Sequence, residues 1–361
     1  MGSTWRRRDT GWFRPARTVA GDDVTESLQP DVVLLAEGPT GFAALRSLAA
    51  RCRVVQVFRK PDSPEASALS TFAEARGIPV TEMQELNQLQ KLIANLRPAA
   101  VVISSFDRII PPRILASCRF VNVHYSLLPQ YRGRANVNWA IINGETTAGI
   151  SIHLVIPDLD GGNLLFQQAI SIVASDTVTS LYHRLNAIQE RELGGAVIRA
   201  ITGEEGTPQN TDHASYGCTR VPDDGEIDWR QPTDAIDRLI RSLTPPFPGA
   251  FTHLVGQRLI IAHAAPQPDA PCYVGRVPGR IVGRSPSEGW VDVLTGDGVL
   301  RMFSVLAPNA ERPCAAASVI GSTRATLGLS RLDLLRRIAA LEDRLASLEQ
   351  IKCAHDQAQP V

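Results

Sequence analysis

No run of apolar residues in this 361-residue chain approaches the roughly 20 that a membrane-spanning helix requires. Net charge is missing too. The 37 basic and 37 acidic residues cancel, so nothing in the total draws the chain toward nucleic acid. Cysteine is sparse and scattered over Cys52, Cys118, Cys218, Cys272, Cys314 and Cys353, the closest two being 39 residues apart. That spacing excludes a CxxC redox pair and a zinc knuckle, and it suggests reduced thiols in a cytoplasmic protein. Lysine occurs only at Lys60, Lys91 and Lys352, so arginine carries nearly all the positive charge. The first 28 residues hold Arg6, Arg7 and Arg8 with no apolar stretch behind them. A secretory signal is therefore not expected, and the segment reads as a disordered leader.

What is present is a large potential core. Apolar residues make up 44% of the chain and charged residues 20%, a globular composition long enough for two domains. A continuous apolar run of strand length occurs at 31–36, and further strands are expected at 53–58, 79–83 and 99–104. Helical patterns follow the first three, at 42–50, 66–76 and 86–96. This alternation predicts a parallel sheet covered on both faces, with ligands beyond the carboxyl ends of its strands. Further strands are expected at 120–124, 149–156 and 164–173, then a helix over 180–202 capped by Asp176 and Thr177. The loop Glu37–Gly41 (EGPTG) lacks dinucleotide-binding glycine spacing and reads as a tight strand-to-helix turn. A polar stretch near 205–215 marks a boundary, after which short strands broken by Gly and Pro predict a small β-barrel or sandwich. In the tail, Leu334, Ile338, Leu341, Leu345 and Leu348 recur at alternating spacings of four and three, a heptad seam. Such a seam serves either self-association or docking on its own chain.

The segment richest in chemistry is Val121–Arg134 (VNVHYSLLPQYRGR), with Pro157–Asn163 (PDLDGGN) after it. On a strand, residues two apart share a face, so Asn122 and His124 project together at a strand's carboxyl end. Asn is a neutral donor for a developing oxyanion, and His moves protons near neutral pH. An Asp brought close by a loop, Asp158 or Asp160, would orient the ring and favour its charged form.

These motifs, together with Tyr131–Gly133, Trp139–Gly144 (WAIING) and Leu159–Gly162, closely resemble the folate-dependent formyltransferases, which act on methionyl-tRNA, glycinamide ribonucleotide or nucleotide-linked amino sugars. Asp224–Trp229 (DGEIDW), Pro248–Phe251 (PGAF) and Thr295–Arg301 (TGDGVLR) resemble the family's carboxyl-terminal β domain. The resemblance implies an α/β architecture: a Rossmann-like parallel-sheet formyltransferase domain at 29–205, a small β-rich, OB-like barrel at 216–308, and a linker with a coiled-coil-like helix at 309–361. It implies Asn122, His124 and Asp160 as catalytic residues and N10-formyltetrahydrofolate as formyl donor, without a metal. Asn122 and protonated His124 would stabilise the oxyanion, while Asp160 keeps His124 charged. The folate would contact Phe106, Asp107, Arg108 and Ile110 in one loop and Pro157, Asp158 and Gly161 in the other. Two positions depart from the family pattern: Asn163 stands where Asp is common and Asn136 where Pro is usual. Neither is expected to touch the triad.

Charge narrows the acceptor. The basic loop of tRNA formyltransferases has no counterpart at 58–65, and residues 217–310 hold nine Arg or Lys against ten Asp or Glu. A small-molecule amine is the expectation, and the motifs at 131–135 (YRGRA) and 139–144 (WAIING) most resemble enzymes that formylate a nucleotide-linked amino sugar destined for a polysaccharide. Ser126, Tyr131, Arg132 and Arg134 would stand on the acceptor side, with the two arginines facing a diphosphate. A methionyl-tRNA formyltransferase and a formyltetrahydrofolate hydrolase are the rival readings, and a homodimer through the terminal helix fits the seam.

Overall fold

The computed structural model describes residues 29–61, 67–329 and 331–357, so the expected leader at 1–28 lies outside the described residues. Its first half runs β1 (Asp31–Ala36), α1 (Gly38–Ala49), β2 (Arg53–Arg59), α2 (Ser67–Glu74), β3 (Val80–Glu82), α3 (Leu86–Leu96), β4 (Ala100–Ser104), α4 (Pro112–Leu115) and β5 (Arg119–His124). Then come β6 (Arg132–Gly133), α5 (Asn136–Ile142), β7 (Thr147–Leu154), β8 (Leu164–Ser171) and the long α6 (Val178–Ile201), whose N-cap Thr177 accepts from the Ser180 amide.

The sheet order is β3-β2-β1-β4-β5-β7-β8. From β3 to β5 every pair is parallel, and the two added strands β7 and β8 are antiparallel. The expected parallel sheet is thus present and extended at one edge. Strand β1 shows why the apolar run is continuous. Val32 and Leu34 pack into the core beneath α1 and α6, whereas Val33 and Leu35 pack into the opposite core with Leu89, Ile93 and Ile114 of α3 and α4. After β3 the chain returns to the other side of β1, so the order reverses between β1 and β4. The crevice beyond that reversal is where such sheets hold ligands.

Helix α1 starts four residues before the sequence pattern indicated. Gly38 takes a left-handed φ of 55°, and a Cβ on Gly41 would stand 2.7 Å from the Ala36 Cβ. The glycines of this loop therefore serve a tight turn.

The second half runs β9 (Tyr216–Gly217), α7 (Thr233–Ser242), β10 (Ala250–Leu254), β11 (Gln257–Pro266), β12 (Ile281–Arg284), β13 (Val291–Leu294), β14 (Val299–Leu306), β15 (Cys314–Ala315), α8 (Ala316–Val319) and α9 (Arg331–Gln357). Its antiparallel sheet is ordered β10-β11-β14-β13-β12, with β15 beside β14. The stretch Ala325–Gly328 spans the gap between its edges. It bonds Ile281 and Gly279 on one side and the His253 carbonyl on the other. The sheet thereby wraps a core of Trp229, Ile236, Leu259, Val293 and Met302. The two halves are tied by Asn138 Nδ2 donating to the Ser242 carbonyl (2.7 Å) and Arg241 Nη1 donating to the Asp176 carbonyl (2.6 Å).

Candidate active site

Strand β5 turns Val121 and Val123 into the core and leaves Asn122 and His124 on the alternate side at its carboxyl end. Strand β7, paired antiparallel, sets His153 directly opposite Asn122. Asp160 arrives on the β7–β8 loop with a left-handed φ of 49°, in a turn closed by Gly161 N–H donating to the Asp158 carbonyl. Gly162 makes that turn sterically possible, because a Cβ there would lie 1.8 Å from the Leu154 oxygen.

These side chains form one hydrogen-bonded centre. Asn122 Nδ2 is 3.1 Å from His153 Nε2 and 3.3 Å from Asp160 Oδ1. His153 is almost wholly buried, and its Nδ1 donates to the Leu154 carbonyl at 2.8 Å. That bond leaves Nε2 of the neutral ring to accept from Asn122. Asp160 Oδ2 accepts the Gly133 amide at 2.8 Å and stands 3.5 Å from His124 Nδ1.

On the far side of the His124 ring, Nε2 is 2.7 Å from the Tyr131 carbonyl and 3.0 Å from the Asn136 Oδ1, whose amide in turn donates to the carbonyls of Tyr131 and Arg134. Two acceptors fix the proton on Nε2, so Nδ1 is the ring atom left for chemistry. The expectation that Asn136 stands clear of the triad is thereby corrected.

The electrostatics divide in an unexpected way. Burial lowers the His124 pKa below the ordinary histidine value, and the opposing charge of Asp160 does not cancel that effect. Burial alone would raise Asp160. The nearby His153 ring, 3.6 Å from Oδ1, the charge that either histidine carries when protonated, and the Gly133 amide outweigh it, and its carboxyl lies at about 2. At neutral pH the centre thus holds an ionised Asp160 beside a neutral His124.

The centre opens into a cavity of about 1040 Å³. One wall is the loop after β4, with Phe106, Asp107, Arg108, Ile109 and Ile110, facing Pro157, Asp158 and Leu159 of the Asp160 loop. Gly161 of the expected folate contacts does not reach it. A second wall comes from the turn after β1 together with Lys60, Arg134 and His183, and the second half of the chain adds Arg220 and Phe247. Of the four expected acceptor residues only Arg134 lines this space. Ser126 Oγ is spent on the Gln130 carbonyl, and Tyr131 OH donates to Glu145. Arg132 is buried, with Nη2 donating to Gln209 Oε1 at 2.8 Å.

That last bond leads to a residue that no sequence signal singled out. Gln209 Nε2 donates to the carbonyls of both Asp160 and Gly162, each at 2.7 Å, and so clamps the Asp160 turn from the polar stretch between the two halves. Asn163, the other departure from the family pattern, donates its amide to the Glu205 carbonyl at 2.8 Å, which an ionised carboxylate cannot do. Among the described residues, no group of three or more His, Cys, Asp or Glu could hold a metal ion.

Two profiles of known families match the chain. The profile described as formyl transferase aligns with residues 22–197, and the one described as formyl transferase, C-terminal domain, aligns with residues 221–323. This chain belongs to the formyltransferase family. Among solved structures, HypX from Aquifex aeolicus in complex with tetrahydrofolic acid superposes with a TM-score of 0.58 at 16% identity, over 82% of this chain and 48% of its own. This formyltransferase chain therefore spans about half the length of that relative, and the likeness is one of fold. The phosphoribosylglycinamide formyltransferase of Bacillus halodurans aligns over 48% of this chain and 96% of its own, with 22% identity and a TM-score of 0.43. Among the described residues, no helix is long and apolar enough to cross a membrane.

Proposed function

We propose that the protein transfers the formyl group of N10-formyltetrahydrofolate to the primary amine of a nucleotide-linked amino sugar. The observation that carries this reading is the convergence of Asn122, His124 and Asp160 on one cavity in a chain of this family. The donor fits the apolar wall. Phe106, Ile110 and Pro157 line it, and Ile109 and Leu159 offer exposed side chains at its edge, a surface suited to a flat heteroaromatic ring.

In the reaction the unprotonated amine attacks the formyl carbon, and the carbonyl oxygen becomes an oxyanion. Asn122 exchanges its long contact to Asp160 for that oxygen. Asp160, ionised at working pH, draws the proton from the new ammonium centre directly or through water. His124 takes it up on Nδ1, where positive charge faces the oxyanion. Return of that proton to the folate N10 breaks the carbon–nitrogen bond and releases the formamide and tetrahydrofolate.

The acceptor side supports an anionic small molecule. Lys60 Nζ (2.6 Å) and Arg134 Nη2 (4.0 Å) share the single carboxylate of Asp107, which leaves one positive charge in excess at the mouth. A diphosphate carries two negative charges, one of which that excess would offset. The acidic balance of residues 217–310 and the short 58–65 loop argue against tRNA.

Incubation with formyl-folate and an amino-sugar nucleotide panel, methionyl-tRNA or no acceptor separates the alternatives through tetrahydrofolate release. Release dependent on an amino-sugar nucleotide is expected. Dependence on tRNA, or release without acceptor, would replace this proposal with the transfer-RNA or hydrolase reading.

A further inference from the structure

Helix α9 leaves its apolar seam uncovered. Leu334, Ile338, Leu341, Leu345 and Leu348 are 41–61% exposed, where buried core leucines such as Leu34 and Leu45 are fully enclosed. The helix reaches the body through a long contact, Arg337 Nη1 to the Gly256 carbonyl at 3.4 Å. We propose that the occupant of this face is the same helix of a second copy, in a parallel, in-register, two-stranded coiled coil.

The charge pattern selects this partner and its orientation. With Ile338 and Leu345 at the a positions, Leu334, Leu341 and Leu348 fall at d, and the flanking positions become unequal. The g positions are Arg337 and Arg344, and the e positions that follow are Glu342 and Glu349. In a parallel pair, g of one helix meets e of the next heptad in its partner. Arg337 would face Glu342 of the second copy, and Arg344 would face Glu349, on both sides of the seam. An antiparallel pair would instead set arginine against arginine and glutamate against glutamate. Among the described residues none of these four side chains makes an ion pair within the chain, and Arg337 meets only the neutral Gly256 carbonyl, so no opposite charge of the same chain competes with a partner's.

The core residues point the same way. β-Branched Ile at one a position with Leu at every d favours two parallel strands. The outer positions are Ala339, Ala340, Asp343, Ala346, Ser347 and Gln350, small or polar residues without a second apolar face. Five core layers make a short seam, so association should be concentration-dependent.

Sedimentation of the full chain over a range of concentrations tests the assembly. The wild type is expected to approach twice the chain mass as concentration rises. Leu341→Arg/Leu345→Arg should stay at the single-chain mass with its thermal unfolding of the body unchanged. A wild type that remains single at every concentration means that α9 docks on its own chain and overturns the proposal. So does a double variant that still pairs. Orientation is read with Leu348→Cys in a chain carrying Cys218→Ser, Cys272→Ser and Cys353→Ser. Parallel register sets the two introduced thiols face to face and yields a covalent dimer on mild oxidation. An antiparallel seam sets each thiol opposite Ile338, yields none, and contradicts the assignment.

Discussion

The two walls of the cavity are built to different standards. Around Asp160 the carboxylate, its backbone carbonyl and its neighbours are each fixed. Gly133, His153, Asn122 and Gln209 all converge on this one turn within a few ångströms. Around the proposed acceptor wall, Arg134 has a side chain more than half exposed and meets Asp107 only at the limit of an ion pair. One side is preorganised and the other open. Chemistry that stabilises a transition state gains from groups that need no reorganisation, whereas recognition of an acceptor allows side chains to settle when it arrives. In the proposed mechanism the reaction type is therefore written in the rigid wall, and the acceptor in the wall that leaves most freedom.

The comparison breaks most directly at the rigid wall. Asn122→Ala and His124→Ala should each lower kcat by about a hundredfold or more, since each removes an oxyanion-facing group. Turnover by purified, folded His124→Ala near the wild-type rate would remove that residue from the chemistry. Gln209→Ala leaves every reacting group in place but frees the turn. A loss of about tenfold in kcat is expected, because small misplacements of catalytic groups are costly. The KM for the donor should change little, and an unchanged kcat would show that the turn holds itself.

The open wall should respond differently. Arg134→Ala and Lys60→Ala should raise the acceptor KM by about tenfold, roughly 1.4 kcal/mol of binding, with kcat nearly kept. An equal loss in kcat would erase the distinction between the walls. The smallest effect is expected from Asn136→Ala, read in the pH profile. Burial holds the His124 pKa below the ordinary histidine value, so the ring stays neutral to lower pH and the acid limb of kcat/KM should lie below that value. The Nε2–H bond to Asn136 is stronger when the ring is charged. Its loss should therefore move the limb to still lower pH, and a shift upward would contradict the bonding described.

Much of this was legible in the sequence because it depends on period and spacing. The both-face burial of β1, the pairing of Asn122 with His124 and the capped start of α6 all follow from neighbours a few residues apart. Asp160 was reachable only through the motif, since thirty-six residues separate it from His124. The rest depends on how distant segments meet. Gln209 sits in a polar connector with no local pattern, and it becomes a clamp only when β6 brings Arg132 beside it. His153 reads as one more residue in a buried strand until β7 is known to lie antiparallel beside β5. Arg132 shows the opposite error: close to Arg134 in sequence, it turns inward while its neighbour faces the cavity. The neutral resting state of His124 was likewise hidden, because desolvation is a property of the whole fold.

The proposed mechanism rests on an ionised Asp160 serving a neutral His124, and Asp160→Asn tests it most directly. The amide keeps the size of the side chain and can still accept the Gly133 N–H, but it can neither take a proton nor offset charge on His124. Single-turnover formyl transfer at saturating formyl-folate and acceptor should fall by about a hundredfold or more, with donor binding retained. Transfer by Asp160→Asn at the wild-type rate would contradict this mechanism.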